Sequence, residues 1–182
     1  MDVNIWIVTG QRGSGKTTFC HEMLKTARLS GWDAAGLLSL AVFKDGMKDT
    51  IWAEDIRSGE KRLLAATHQQ KETDLVFGDW YFNQKTLEWG NQVLQFSIPC
   101  DLLVIDELGP LEFNSSLGWV SAMGVIKTAQ FCLALVVIRP ELLEPAQNIL
   151  HPIHTIQMNG VNEVHSRVLQ CTPWLMRLKG AV

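Results

Sequence analysis

The sequence predicts an α/β fold: a mostly parallel sheet flanked by helices, with an added antiparallel hairpin block. Three observations point there. Apolar runs that read as buried strands alternate with segments of helical length, the pattern of strands joined by crossover helices. The first run, Val3 to Val8, leads into Gly10-Gln11-Arg12-Gly13-Ser14-Gly15-Lys16-Thr17, a Gly-x-x-x-x-Gly-Lys-Thr loop opening a helix. A later run, Leu102-Leu103-Val104-Ile105, ends in two adjacent acids, Asp106 and Glu107.

In chain order, a strand is predicted near 3–9 and a helix near 16–30, closed by Gly31. Ala34 to Val42 reads as a second strand. Lys44-Asp45-Gly46 and Ser58-Gly59 are turn signals on either side of a strand-like Thr50 to Arg57, and Arg62 to Thr67 can pair back. Residues 41–67 are therefore predicted as antiparallel hairpin strands appended to the sheet. Residues 68–75 are polar and predicted as a loop, followed by one short strand over Val76 to Phe82. Asn83 is an N-cap for a helix over 84–97, which Pro99 closes. The strand at 101–106 follows, then the loop Leu108-Gly109-Pro110 and a helix near 115–129. Phe131 to Ile138 is the next buried strand, Glu141 to Leu150 a short helix, and Ile153 to Met158 the last strand. Asn162 to Leu178 is the last helix, predicted to be interrupted near Pro173. With no repeat and no linker, the 182 residues read as one domain.

The glycine loop carries a specific chemistry. Its glycines permit backbone angles that a Cβ disfavours. Successive N–H groups then turn inward as a nest for phosphate oxygens, and the helix N-terminus adds partial positive charge. Gly10 through Thr18 are thus the candidate nucleotide-binding residues. Lys16 can reach the β- and γ-phosphates, and the Thr17 hydroxyl can hold magnesium. Asp106, at the end of its strand, is the expected magnesium partner, and Glu107 is the residue placed to orient or deprotonate an attacking water. Two adjacent carboxylates are costly to bury unpaired, so they do not read as packing residues.

Composition narrows the function classes. Net charge is −3 with no run of four basic residues, so no basic field draws the chain to nucleic acid or an anionic membrane. The longest apolar run, Phe131 to Ile138, is far below the roughly 20 residues a bilayer needs, and the N-terminus lacks the basic region of a signal peptide. A cytoplasmic protein is expected, with Cys20, Cys100, Cys132 and Cys171 as free thiols. His151 and His154 lack flanking Cys or acidic ligands, which argues against a metal site there. The aromatic run Trp80-Tyr81-Phe82 fits a strand face better than a base-stacking platform.

The segment Val104-Ile105-Asp106-Glu107-Leu108-Gly109-Pro110-Leu111-Glu112-Phe113 resembles a signature of the small nucleoside-triphosphatase family, of the thermophile and human cancer-related type. Its Asp-Glu-x-Gly-x-x-Glu pattern is met by Asp106, Glu107, Gly109 and Glu112, and the loop with Thr17-Thr18 matches as well. The order of parts agrees, including the early block with Asp55-Ile56-Arg57-Ser58-Gly59-Glu60. Where that family often has a Gly-Lys-Tyr-like segment, this chain has Gly78-Asp79-Trp80-Tyr81-Phe82. Where it tends to have one or two basic residues after its fourth strand, this chain has Arg139, followed by Pro140.

The resemblance implies a RecA-like phosphate-loop protein that hydrolyses ATP, GTP and other nucleoside triphosphates with magnesium and low base selectivity. It gives Lys16 and Thr17 to phosphate and metal, Asp106 to the metal and Glu107 to the water, with Arg139 as a candidate charge-stabilising arginine. Two other readings stay open. A small nucleotide or nucleoside kinase shares the loop, but the seven arginines do not cluster in a lid-like insert. A nucleotide-dependent switch would use the 41–67 block as its contact surface.

Overall fold

The computed structural model describes residues 4–71, 74–115 and 117–180 of the chain. Nine strands form one sheet in the order β5-β6-β4-β3-β2-β7-β8-β1-β9. They are β1 (Ile5–Thr9), β2 (Ala34–Lys44), β3 (Met47–Asp55), β4 (Lys61–Ala66), β5 (Leu75–Phe77), β6 (Trp80–Phe82), β7 (Cys100–Leu108), β8 (Phe131–Ile138) and β9 (His154–Gln157). The pairs β2–β7, β7–β8, β8–β1 and β1–β9 are parallel. The pairs β2–β3, β3–β4, β4–β6 and β6–β5 are antiparallel and form the appended block.

Strand alternation builds two cores. Ile5, Ile7, Leu103, Ile105, Ala134 and Val136 point to one face. Trp6, Val8, Leu102, Val104, Leu133 and Leu135 point to the other. Because both faces are buried, these central strands read as continuous apolar runs rather than alternating ones. Helices α1 (Lys16–Leu29) and α6 (Val164–Gly180) cover the second face through Phe19, Met23, Val168 and Leu175. Helices α2 (Gln84–Gln95), α4 (Ser121–Lys127) and α5 (Leu143–Leu150) cover the first through Leu87, Leu94, Val125, Ile126 and Leu150. The short α3 (Pro110–Asn114) follows β7.

The fit between β2 and β7 is tight. Gly36 has φ +116°, and a Cβ there would stand 1.9 Å from the backbone oxygen of Val104. Only glycine lets these strands approach so closely. That approach brings Ser39, further along β2, against Asp106.

Several elements differ from the sequence-based expectation, among them the helix α3, which starts at Pro110 where the sequence predicts a loop. Val76–Phe82 is not one strand but the hairpin β5–β6, with Gly78 at φ +58° in its turn. The helix expected over 115–129 begins only at Ser121, and Gly118 at φ +71° breaks what precedes it. β7 continues past 106 to Leu108, which re-pairs with Ile138 after a register shift. α6 runs through Pro173 without interruption. That proline and Leu169, whose carbonyl it leaves unbonded, are both exposed, so water can take the bond. Asn83 caps α2 as expected, its side chain accepting from the Thr86 N–H.

Candidate functional site

The site lies along the carboxyl edge of the parallel strands, the edge at which open α/β sheets bind ligands. Four neighbouring strands contribute to it. β1 delivers Gly10 to Gly15, β8 ends immediately before Arg139, β7 ends in Asp106 to Leu108, and β2 runs past with Ser39.

The loop is pressed against the end of β9. The Met158 N–H donates to Thr9 O at 2.8 Å, and a Cβ on Gly10 would stand 2.1 Å from Met158 O. Gln11, Arg12, Gly13 and Thr18 are exposed, Ser14 is buried, and Gly15, Lys16 and Thr17 are half-buried. Gly15 is left-handed and gives α1 no side-chain cap, so the first amides of the helix are open to an anion. The Lys16 ammonium curls back and donates to Gly10 O at 2.7 Å and Gln11 O at 2.9 Å. Burial draws its pKa below the ordinary lysine value, while Glu107 and Asp106 pull the other way.

Asp106 is 2% exposed. Its Oδ2 accepts from the Ser39 N–H at 3.2 Å, the Thr17 side chain hydrogen-bonds to it, and the Ser39 hydroxyl donates to its backbone oxygen. Burial, then the neighbouring Glu107, push the Asp106 carboxyl up to about 7. Glu107 is half-buried and forms an ion pair with Arg139 through its Oε1. Loop, acid pair and arginine, predicted separately, therefore converge.

The pH consequence has a definite sign. The folded pKa of Asp106, about 7, lies above the ordinary 3.8. Between those values the unfolded chain sheds a proton that the folded chain keeps. Stability therefore falls as pH rises from about 4 to about 7, and above that the loss is complete and changes no further with pH. Urea midpoints of wild type and Asp106→Asn across this range, without nucleotide or divalent cation, check it. The wild type should lose ground to the variant as pH rises. Parallel curves would mean that Asp106 titrates normally.

Glu112, the second acid of the signature, does something different. Its Oε2 accepts from Gly109 N and its Oε1 from Trp119 N, both at 2.7 Å. Both oxygens are thus engaged, and Glu112 braces the chain after Glu107 instead of facing a reacting water. Two residues escaped the sequence analysis. Ser39 had a faint signal, a polar residue inside the apolar β2. Lys48, on β3, had none: its ammonium lies 5.5 Å from the Trp80 ring centroid.

Thr17 and Asp106 offer hard oxygen donors side by side, which suits magnesium shared with phosphate and water. Among the described residues, no three His, Cys, Asp or Glu side chains cluster as a metal cage. The ring of His154 instead packs edge-on against Trp6 and Trp174, with centroids 5.5 and 5.2 Å away.

A family profile described as NTPase matches residues 5–168. The chain belongs to this NTPase family. Its NTPase-family relatives include the nucleoside-triphosphatase THEP1 of Methanosarcina barkeri, 27% identical over 157 residues, spanning 85% of this chain and 88% of that one. The THEP1 of Archaeoglobus fulgidus is 33% identical over 111 residues, 59% of this chain and 62% of its own. The fold is shared with solved structures. A human cancer-related nucleoside triphosphatase superposes with a TM-score of 0.63 at 19% identity, over 92% of this chain and 96% of that one. THEP1 from Aquifex aeolicus superposes with a TM-score of 0.65 at 16% identity, over 94% and 98%. Among the described residues of this NTPase-family chain, no helix is long and apolar enough to cross a membrane.

Proposed function

We propose that this chain is a magnesium-dependent nucleoside-triphosphatase that releases diphosphate and inorganic phosphate with little base selectivity. The observation that carries the reading is the convergence of Lys16, Thr17, Asp106, Glu107 and Arg139 at one edge of the sheet. We assign it to the RecA-like division, because its parallel strands run β9-β1-β8-β7-β2 with one strand between the loop strand and the acid strand.

In this reading the loop amides and Lys16 hold the β- and γ-phosphates. The Thr17 hydroxyl and Asp106 would hold magnesium, which would supply charge stabilisation to the phosphates. Glu107 accepts a hydrogen bond from a water in line with the γ-phosphorus and takes its proton. Arg139 sits beside Glu107, where it can shift onto the γ-phosphate as charge moves to the leaving oxygen. Catalysis is positioning and charge stabilisation, with no covalent step on the protein. A cytoplasmic location goes with these substrates.

Every strong feature addresses phosphate or metal, and the sequence has no Asn-Lys-x-Asp guanine motif. Phosphate release from ATP, GTP, CTP and UTP, with and without magnesium, tests this. All four should turn over only with the metal, with kcat/KM values within about a hundredfold, roughly 2.7 kcal/mol. A wider spread would reveal a base pocket, and undiminished turnover in chelator would remove the metal from the account.

A further inference from the structure

Among the described residues, Lys48 is a cation near the acid pair that neither the phosphate loop nor the acids engage. β2 pairs with β7 only over Ala34–Leu37 and then continues to Lys44. At about 3.3 Å per residue, that arm projects roughly 20 Å past the edge that carries Asp106 and Glu107. β3 returns along it after the turn at Asp45 and Gly46, both with positive φ.

The register of the arm is broken at one place. Val42 pairs with Thr50, but Phe43 pairs with Lys48, so Asp49 is an extra residue on β3. Adjacent residues of β2 face opposite sides, so the bulge sends Lys48 and Thr50 to opposite sides, where an unbroken strand would put them together. Lys48 is thereby turned onto Trp80 of β6, with its ammonium 5.5 Å from the ring centroid. It is half-buried and within electrostatic reach of Glu107, Arg12, Arg139 and Asp106. Among the described residues it has neither an ion-pair nor a hydrogen-bond partner, and the ring is its one polar contact. Burial lowers its pKa, with Glu107 the strongest opposing influence.

An ammonium withdrawn from water without an anion in contact is held at a cost, which an arriving anion offsets. The aromatic ring fixes its position and partly compensates. The charged groups within its reach are Glu107, Arg12 of the loop, Arg139 and Asp106, so it faces the side of the site where the acid pair and Arg139 meet the loop. We propose that Lys48 is a further phosphate-binding residue, carried over the site by the β2–β3 hairpin to contact the γ-phosphate of the bound triphosphate.

The inference rests on the triphosphate reading of the site, and the test separates the two. Equilibrium binding of the non-hydrolysable analogue AMPPNP and of ADP, both with magnesium, is measured on wild type, Lys48→Met and Lys48→Arg, with single-turnover ATP hydrolysis alongside. Methionine keeps the stem on Trp80 and removes the charge. Lys48→Met should bind AMPPNP about 10- to 100-fold more weakly, the range for one lost charge-assisted hydrogen bond. Its ADP affinity should stay within about twofold, and hydrolysis should slow. Lys48→Arg should recover most of the loss. Equal changes for AMPPNP and ADP would place the effect of Lys48 away from the γ-phosphate, and no change in either would show that it only packs against Trp80; each outcome would overturn the proposal. Wild type that binds neither nucleotide would instead overturn the triphosphate reading and the inference with it.

Discussion

Glu107→Gln should lower kcat by about 10²- to 10⁴-fold, or about 3–5 kcal/mol in the barrier, while triphosphate and magnesium still bind. Glutamine keeps the size and still offers Arg139 a carbonyl oxygen in place of the Oε1 it now pairs with. What it removes is the charge and the basicity. The residue proposed to hold the metal is the buried Asp106, whose bonds to Thr17 and Ser39 the change leaves in place, while loss of the Glu107 charge eases its ionisation. Binding and chemistry should therefore separate cleanly. Single-turnover hydrolysis and equilibrium binding on one preparation give both. A fall of less than about threefold would mean that Glu107 is not the base. Glu112 could not stand in for it, because both its oxygens are spent on Gly109 and Trp119. A different reaction class would then have to be considered.

Lys16→Ala should remove triphosphate binding or weaken it more than about a hundredfold, the scale of one to two charge-assisted hydrogen bonds. Lys16 is the residue that the proposed function gives to the β- and γ-phosphates. Its present partners, Gly10 O and Gln11 O, are carbonyls that phosphate oxygens can outcompete for a positive donor. Titration calorimetry with magnesium and ATP reads the affinity, and circular dichroism checks that α1 survives. Unchanged affinity would sink the assignment of residues 10–17 as the phosphate site.

The legible parts of this chain were those with local signals. β1, β7 and β8 are buried on both faces and read as plain apolar runs. Asn83 announced α2, and the glycine loop announced α1. The turn at Asp45-Gly46 announced the appended block. The illegible parts are those where the sequence pattern and the fold disagree about a break. The β5–β6 turn at Gly78-Asp79 lies between aromatic residues that extend the strand pattern through it. The break before α4 follows from Glu112 reaching Trp119 N, which no helical periodicity encodes. Pro173 signals an interruption anywhere, and only its exposure shows why α6 tolerates it.

In the site, the residues themselves were legible and their relations were not. The sequence named Asp106, Glu107 and Arg139, but the ion pair between the last two exists because β8 lies beside β7. Ser39 meets Asp106 because Gly36 lets β2 approach β7. Lys48 is turned onto Trp80 by a bulge on a long arm. Such contacts come from topology, and spacing along the chain does not reveal them.

The claim that matters most is that water is the acceptor of the γ-phosphoryl group. Hydrolysis of ATP with magnesium in ¹⁸O-labelled water, read by mass spectrometry of the products after a single turnover, tests it most directly. Attack at the γ-phosphorus under the direction of Glu107 places one labelled oxygen in the released phosphate and none in the ADP. Label in the ADP, or ADP formed without labelled phosphate while an added nucleoside or nucleotide becomes phosphorylated, would contradict it.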